Sequence, residues 1–487
     1  MTVGILSFGA YIPQRRLQRA AIHEANRWFA PGLKGLARGE RAIAGWDEDS
    51  ITMAVEAARD ALADTDRATI ASVSLASTTL PFADRLNAGV VKEALNLDDQ
   101  TGAMDLAGSQ RAATSGLIQA LAAAKGGAGP QLSIAAELRR TRPASEGEMV
   151  NGDAAAALLI GDGDAIATLK GSYSTTIDFV DHFRAAGVVH DYGAESRWIR
   201  DEGYAGLIGK ALMAALPAFG VEASAIDHLV IPISVKGVAE GLAKKAGVRP
   251  EAVADRLSDT VGDSGVAHPF LMLASALERA EPGELILLAA FGQGVDLLLF
   301  EATPAIRTIS ARRGVAGAIK AGVSDANYLR WLFHRGELGL ERGMRAEFDQ
   351  KQPGTTLWRN RKAVLGLVGG RCTKTGTVQF PKTDISVSPN DHAAHTQEDY
   401  PLAERTARVV TYTADALTYS PDPPSYYGMV DFEGGGRMMA EFADVVADAV
   451  EVGQEMRMVF RIKAFDEQRD FVKYFWKAAP LARRETV

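Results

Sequence analysis

The first 305 residues of this 487-residue chain are written twice. An apolar helical pattern over Ala54–Ala63 leads through an acidic turn into the buried-strand run Ile70–Leu75. Leu207–Phe219, Val221–Asp227 and Leu229–Ile233 repeat that helix, connector and strand. A second pair follows. Asp105-Leu-Ala-Gly-Ser-Gln-Arg-Ala-Ala113 opens an Ala/Leu-rich helix ending near Lys125-Gly-Gly, before the strand Gln131–Ala136. Its counterpart runs from Val261-Gly-Asp-Ser-Gly-Val-Ala-His-Pro269 through the helix Phe270–Ala280 to the strand Glu284–Ala290. Helices alternating with continuously apolar strands predict parallel sheet buried beneath helices. Two copies predict a pseudo-twofold α/β domain with a cleft where the copies meet.

After Phe300 the texture changes. Arg307–Asn327 is small, basic and Gly-rich, and Tyr328–Leu338 reads as helical. From Trp358 onward strand signals dominate, at 364–368, 377–380, 407–412, 427–432, 437–442 and 456–465. Turn residues such as Ser420-Pro-Asp-Pro-Pro424 and Gly434-Gly-Gly436 separate them, a spacing that predicts a small barrel of the OB type. The expected division is an α/β domain over 1–305 (halves about 1–168 and 169–305), a linker at 306–324 and an all-β domain over 325–487.

The balance of 53 basic and 61 acidic residues gives a net charge of −8, which argues against a sequence-independent nucleic-acid binder. One cysteine makes no intrachain disulfide and no Cys-rich metal site. No apolar run reaches the roughly 18 residues of a membrane span, and the amino terminus lacks a basic signal-peptide region. The expectation is a soluble cytoplasmic protein.

Residues 1–305 resemble the thiolase superfamily, in the branch of hydroxymethylglutaryl-CoA synthase and the ketoacyl synthases that initiate fatty-acid synthesis. Ala76-Ser-Thr-Thr79, the helix start after Asp105, Val261-Gly-Asp-Ser-Gly265 and Phe291-Gly-Gln-Gly294 carry the likeness. Residues 325–480 resemble OB-fold, zinc-ribbon proteins associated with acyl-CoA enzymes, through Arg371–Pro381, Tyr426–Phe432 and Phe460-Arg-Ile-Lys463. The resemblance implies a layered α/β/α/β/α fold followed by an OB-fold barrel. It also implies coenzyme A or an acyl-CoA as reactant, with a β-keto or β-hydroxy acid, and a homodimer.

The family's chemistry does not carry over residue by residue. Its cysteine nucleophile sits at a helix N-terminus that favours a thiolate and an oxyanion. This sequence has Gln110 there, and its lone cysteine is Cys372. The family's histidine position reads Pro232-Ile-Ser234, its asparagine is Asp263, and its glutamate base falls at Ser77-Thr78-Thr79. Of the zinc ribbon only Cys372 remains, with Thr375, Ser386 and Asp391 near the other ligand positions, so no structural zinc is expected. These losses point to an enzyme that cleaves a carbon–carbon bond beside a carbonyl during catabolism, without a cysteine acyl-enzyme. Two alternatives stay open: a non-catalytic acyl-CoA-binding scaffold subunit, and a condensing enzyme like hydroxymethylglutaryl-CoA synthase.

The polar groups left are the candidates for chemistry. Asp263 and His268 stand five residues apart, either as an acid–base pair or as a turn and a helix start. The polar segment from Asp181 to Tyr204 offers His182 and Tyr192 to a carbonyl, and Arg184 and Arg197 to a carboxylate or phosphate. It reads equally as a salt-bridged subunit interface. Gln110 either polarises an oxyanion or fills the vacated thiol space, with Ser109 beside it. The Gly292/Gly294 turn passes close to the reacting group if the resemblance holds. Tyr426, Tyr427 and Arg437 are the barrel's candidates for acyl-CoA contact.

Overall fold

The computed structural model describes residues 2–341, 353–446 and 449–481. They form two compact units. The first holds 1–45, 49–89 and 98–337; the second holds 46–48, 90–97 and 338–487. No described helix is long and apolar enough to cross a membrane.

In the first half of unit one the elements are β1 (Val3–Tyr11), α1 (Ser50–Leu62), β2 (Ser72–Ala76), β3 (Gly102–Leu106), α2 (Ala112–Lys125), β4 (Gln131–Glu137) and β5 (Ala154–Asp162). The second half contributes β6 (Ala167–Thr176), α3 (Gly209–Phe219), β7 (His228–Val230), α4 (His268–Leu277), β8 (Leu285–Phe291) and β9 (Gly294–Ala302). The first half-sheet has the order β3-β2-β4-β5-β1, and the second has β7-β8-β9-β6. Matching β1 with β6, β2 with β7, β4 with β8 and β5 with β9 makes the two orders the same. The position of β3 is kept in the second half only by Val253, which bridges Leu229 in parallel. The half-sheets join at their equivalent first strands, where Gly4 and Ile5 pair antiparallel with Thr168 and Ala167. The duplication in the sequence is therefore a duplication of topology.

Strand periodicity sorts side chains into layers. Along β8 and β9, Ile286, Leu288, Leu298 and Phe300 face an inner core shared by α2, α4 and β5. Their neighbours Leu287, Ala289, Leu297 and Leu299 face an outer core with Leu212, Ala215 and Leu216 of α3. Every residue of α4 is buried, as its largely apolar sequence requires for a helix between two sheets, with His268 and Ser275 the polar members. On the other outer face α1 starts from a capping box, with the Asp49 side chain on Thr52 N and the Thr52 hydroxyl on Asp49 N. Helix α1 lies so close to β1 that a Cβ on Gly9 would meet Ala61 N at 2.1 Å. This is the five-layered arrangement the resemblance implies.

Residues 306–324, expected as a linker, belong to the first unit. Carboxylates from α1 and α4 explain it: Asp60 accepts from the amides of Arg313 and Gly314, and Glu278 from those of Val315 and Ala316. Val323–Asp325 then pairs in parallel with Arg15–Leu17.

In unit two, the helix α5 (Arg361–Gly366) precedes β10 (Val368–Cys372), β11 (Val378–Gln379) and β12 (Gln397–Pro401), a three-stranded ribbon of order β11-β10-β12. The barrel strands are β13 (Ala407–Asp415), β14 (Ser425–Phe432), β15 (Arg437–Glu441), β16 (Glu455–Asp466) and β17 (Phe471–Pro480), ordered β15-β14-β13-β16-β17. Two readings change here. The apolar run 364–368 is mostly helix, which stops at Leu367 in the left-handed region (φ +47°). The closing strand β17, absent from the sequence reading, supplies buried Trp476, whose Nε1 donates to the Leu365 carbonyl at 2.7 Å. Among the described residues, no group of three or more His, Cys, Asp and Glu is placed to hold a metal.

Candidate active site

Helix α2 begins beneath a cavity of about 280 Å³ lined by Thr78, 107–110, 181–184, Asp191, Gly292 and Gln293. Three loops meet there from distant parts of the chain: the end of β2, the β3–α2 turn and the β8–β9 turn. A two-stranded hairpin, His182–Phe183 with Tyr192–Gly193, closes one side.

The central contact joins Gln110 to this hairpin. The Asp181 carboxylate lies 2.8 Å from His182 Nδ1, and His182 Nε2 lies 3.3 Å from Gln110 Nε2. A carboxylate only accepts, so Nδ1 carries the proton and Nε2 presents its lone pair to the amide donor. Gln110 Oε1 is buried with no hydrogen-bond partner. Hence the amide has one polar atom engaged by the imidazole and one left unpaired in the interior beside Gly265.

Charged pairs brace the walls. Asp191 accepts from Arg139 at 2.7 Å and from Arg184 at 3.0 Å, and Arg184 also donates to the Thr78 carbonyl. Burial works to lower the pKa of Arg139, but the carboxylates of Asp191, Asp263 and Glu137 outweigh it and raise it. Glu137, at the end of β4, has its pKa raised by burial, against bonds from the Thr78 hydroxyl (2.6 Å) and amide (3.0 Å). Ser109 Oγ donates to the Gly292 carbonyl at 3.2 Å, tying the β3–α2 turn to the glycine turn. A Cβ at Gly292 would meet Arg111 N at 2.7 Å, so the close approach needs glycine.

The structure thus gathers Gln110, His182, Ser109, Arg184 and Gly292 in one place. Several other expected residues stand apart. His268 is buried outside the cavity: its Nε2 donates to the Arg256 carbonyl at 3.0 Å and its Nδ1 faces Ser264 Oγ at 3.2 Å. Asp263 accepts from the Gly265 amide instead of meeting His268. Asp263 and His268 therefore do not form the expected acid–base pair, and His268 does not line the cavity. Tyr192 is 68% exposed and packs on Phe183, because strand alternation turns Asp191 inward and its neighbour outward. Arg197 is exposed and faces Asp201 at 3.7 Å. Gly294 does not line the cavity; its φ of +124° starts β9. In the other unit, Tyr426 and Tyr427 are strand residues of β14, and Arg437 holds Asp431 bidentately at 2.5 and 2.7 Å.

Asp181, Asp191, Arg139, Glu137 and Thr78 were not singled out from the sequence as site groups. Asp181 is legible as the neighbour of His182. The others become partners only through sheet order.

A duplicated α/β/α/β/α unit with its cavity at the buried helix start defines a thiolase-like protein, here carrying an OB-fold domain. Residues 216–298 match the family described as 3-oxoacyl-[acyl-carrier-protein] synthase III C terminal. Residues 400–461 match the ChsH2 C-terminal OB-fold domain. The hydroxymethylglutaryl-CoA synthase of Archaeoglobus fulgidus is 30% identical over 340 residues, 67% of this chain and 98% of that protein. The Aeropyrum pernix enzyme of the same name is 30% identical over 299 residues, 60% of this chain and 82% of its own. Among solved structures, an HMG-CoA synthase complexed with CoA has a TM-score of 0.58 at 20% identity, covering 73% of this chain and 96% of that one. The 3-oxoacyl-(acyl carrier protein) synthase III of Pseudomonas aeruginosa has a TM-score of 0.56 at 20% identity, covering 62% and 99%. The chain belongs to the hydroxymethylglutaryl-CoA synthase family.

Membership overturns the expectation of a catabolic carbon–carbon cleaving enzyme. The relatives that span two thirds of the chain are named for a synthase, a condensing enzyme.

Proposed function

We propose that this protein is a condensing enzyme that joins the α-carbon of a CoA thioester to the carbonyl of an acceptor, as its family name implies, with the acyl group left on coenzyme A. The observation that carries this reading is the Asp181–His182–Gln110 chain at the start of α2, with Gln110 where the family's resemblance places a cysteine. His182 Nε2 is the base for the thioester's α-proton once substrate displaces the Gln110 amide from its lone pair, and Asp181 holds the imidazole and stabilises its cation. The resulting carbanion adds to the acceptor carbonyl, and the alkoxide takes the proton back from His182. The thioester C–S bond stays intact, so no nucleophile is needed at residue 110. Gln110 Nε2 is the donor for the developing enolate oxygen, in a cavity already braced by Asp191 and two arginines.

A second copy of the chain is also part of the reading. Strand β3 ends the sheet with one edge unpaired among the described strands, and its Met104 is 49% exposed.

The deciding experiment incubates the protein with acetyl-CoA in D2O, with and without acetoacetyl-CoA, and follows products by mass spectrometry. Deuterium in the acetyl group, and an addition product when acceptor is present, support the proposal. Neither signal at high enzyme concentration would sink it.

A further inference from the structure

A second, smaller cavity lies in the first unit, lined by Leu17, Arg41, Ile43, Arg139–Thr141, Glu148, Tyr328, Trp331, Leu332, Arg335 and Glu337. Its volume is about 30 Å³, room for a small ion or a few waters. Four arginines line it against two carboxylates. Both carboxylates are engaged: Glu148 accepts from the Tyr328 hydroxyl at 2.9 Å and the Ala144 amide at 2.7 Å, and Glu337 sits 2.7 Å from His190 Nε2.

Three lining residues carry a buried donor with no acceptor: Arg41 Nε, Arg335 Nη1 and Trp331 Nε1. Arg41 is 3% exposed and Trp331 2%. The remaining bonds of the arginines are spent locally. Arg41 donates to the Glu148 carbonyl at 2.6 Å, Arg335 to Asp153, Arg140 to the Arg335 carbonyl at 2.9 Å, and Arg139 to Asp191. Asp153 Oδ1 is a neighbouring acceptor left unpaired, and Asp153 does not line the cavity. Burial pushes the pKa of Arg41 down to about 10; Arg335 and Arg19 lower it further, against the raising effect of Asp153 and Glu148.

Orphaned buried donors are costly, and a ligand is what removes the cost. A water has two lone pairs and would accept from two of them at most. A monatomic anion accepts from all three and places its charge beside the guanidinium groups of Arg41 and Arg335. We infer that the pocket framed by Arg41, Trp331 and Arg335 is a binding site for a chloride-sized halide ion. The ion would tie the helix Tyr328–His334 to Arg41 and to the segment that carries Arg139, independently of the reaction proposed above.

Bromide provides the test. Crystals grown in chloride-free buffer and soaked in sodium bromide should show an anomalous peak within hydrogen-bond distance of the three donors. In solution, replacing gluconate by bromide at constant ionic strength should raise Tm by roughly 2 °C or more at ten times Kd. Trp331→Phe keeps an aromatic ring, removes one donor and should shrink that shift. A water with no anomalous signal, or a Tm identical in bromide and gluconate, would overturn the proposal.

Discussion

Arg111 Nη1 lies 2.9 Å from Asp296 Oδ1, a buried ion pair that crosses from the start of α2 to β9. Asp296 also accepts from the hydroxyls of Thr114, Ser115 and Ser174 at 2.7–2.9 Å, and Arg111 donates to the Thr175 carbonyl at 2.8 Å. The residue after Gln110 is thus anchored in the second copy of the duplicated fold. The helix start that bears the site is held by charge from the opposite half.

Removing one partner should therefore be severe. Asp296→Ala strands a buried guanidinium, and the expected loss is about 3–5 kcal/mol in denaturant unfolding. Asp296→Asn, which keeps two acceptor contacts, should cost less. Equal stability of Asp296→Ala and the native chain would show that the pair is not an anchor.

His182→Ala is expected to lower α-proton exchange into acetyl-CoA by roughly 10²–10⁴-fold, the range for a lost general base. Asp181→Asn should fall less, because the imidazole remains while its orientation is weakened. An exchange rate unchanged in His182→Ala would assign the base elsewhere.

Gln110→Cys places a thiol beside His182 Nε2, now 3.3 Å from the amide nitrogen. Intact-mass measurement after incubation with acetyl-CoA should show one acetyl adduct on this variant and none on the native chain. No adduct would mean that the cavity does not present a thioester to residue 110.

His268 predicts a pH dependence of stability. Burial is the largest cause and lowers its pKa, against the raising effects of Asp263 and the Arg256 carbonyl. The unfolded chain therefore binds more protons near and below pH 6.5, so stability rises with pH through that window and is lost as pH falls from 6.5 towards the depressed value. In urea unfolding between pH 5 and 8, His268→Gln should flatten this slope relative to the native chain. Parallel pH curves for the two would contradict the assignment.

Much of the architecture was readable because it is local. Continuous apolar strands such as 285–290 and the apolar stretch Phe270–Ala274 of α4 announce burial on both faces, and their recurrence announces the duplication. The run at 364–368 misled because a short apolar stretch has no period to separate helix from strand. Asp263 and His268 misled for a related reason. Five residues apart, they look like partners, yet the intervening turn sends one side chain to a backbone amide and the other to Ser264 and Arg256.

The sequence alone determined the duplicated layers, the β-rich second unit and the glutamine at the head of α2, since each is a property of one segment's pattern. Tertiary structure decided which polar groups meet. Gln110 and His182 are 72 residues apart, Arg111 and Asp296 are 185 apart, and Arg41 and Glu148 are 107 apart. Pairings at such separations are set by strand order and hairpin direction, and neither leaves a trace in the spacing of the residues themselves.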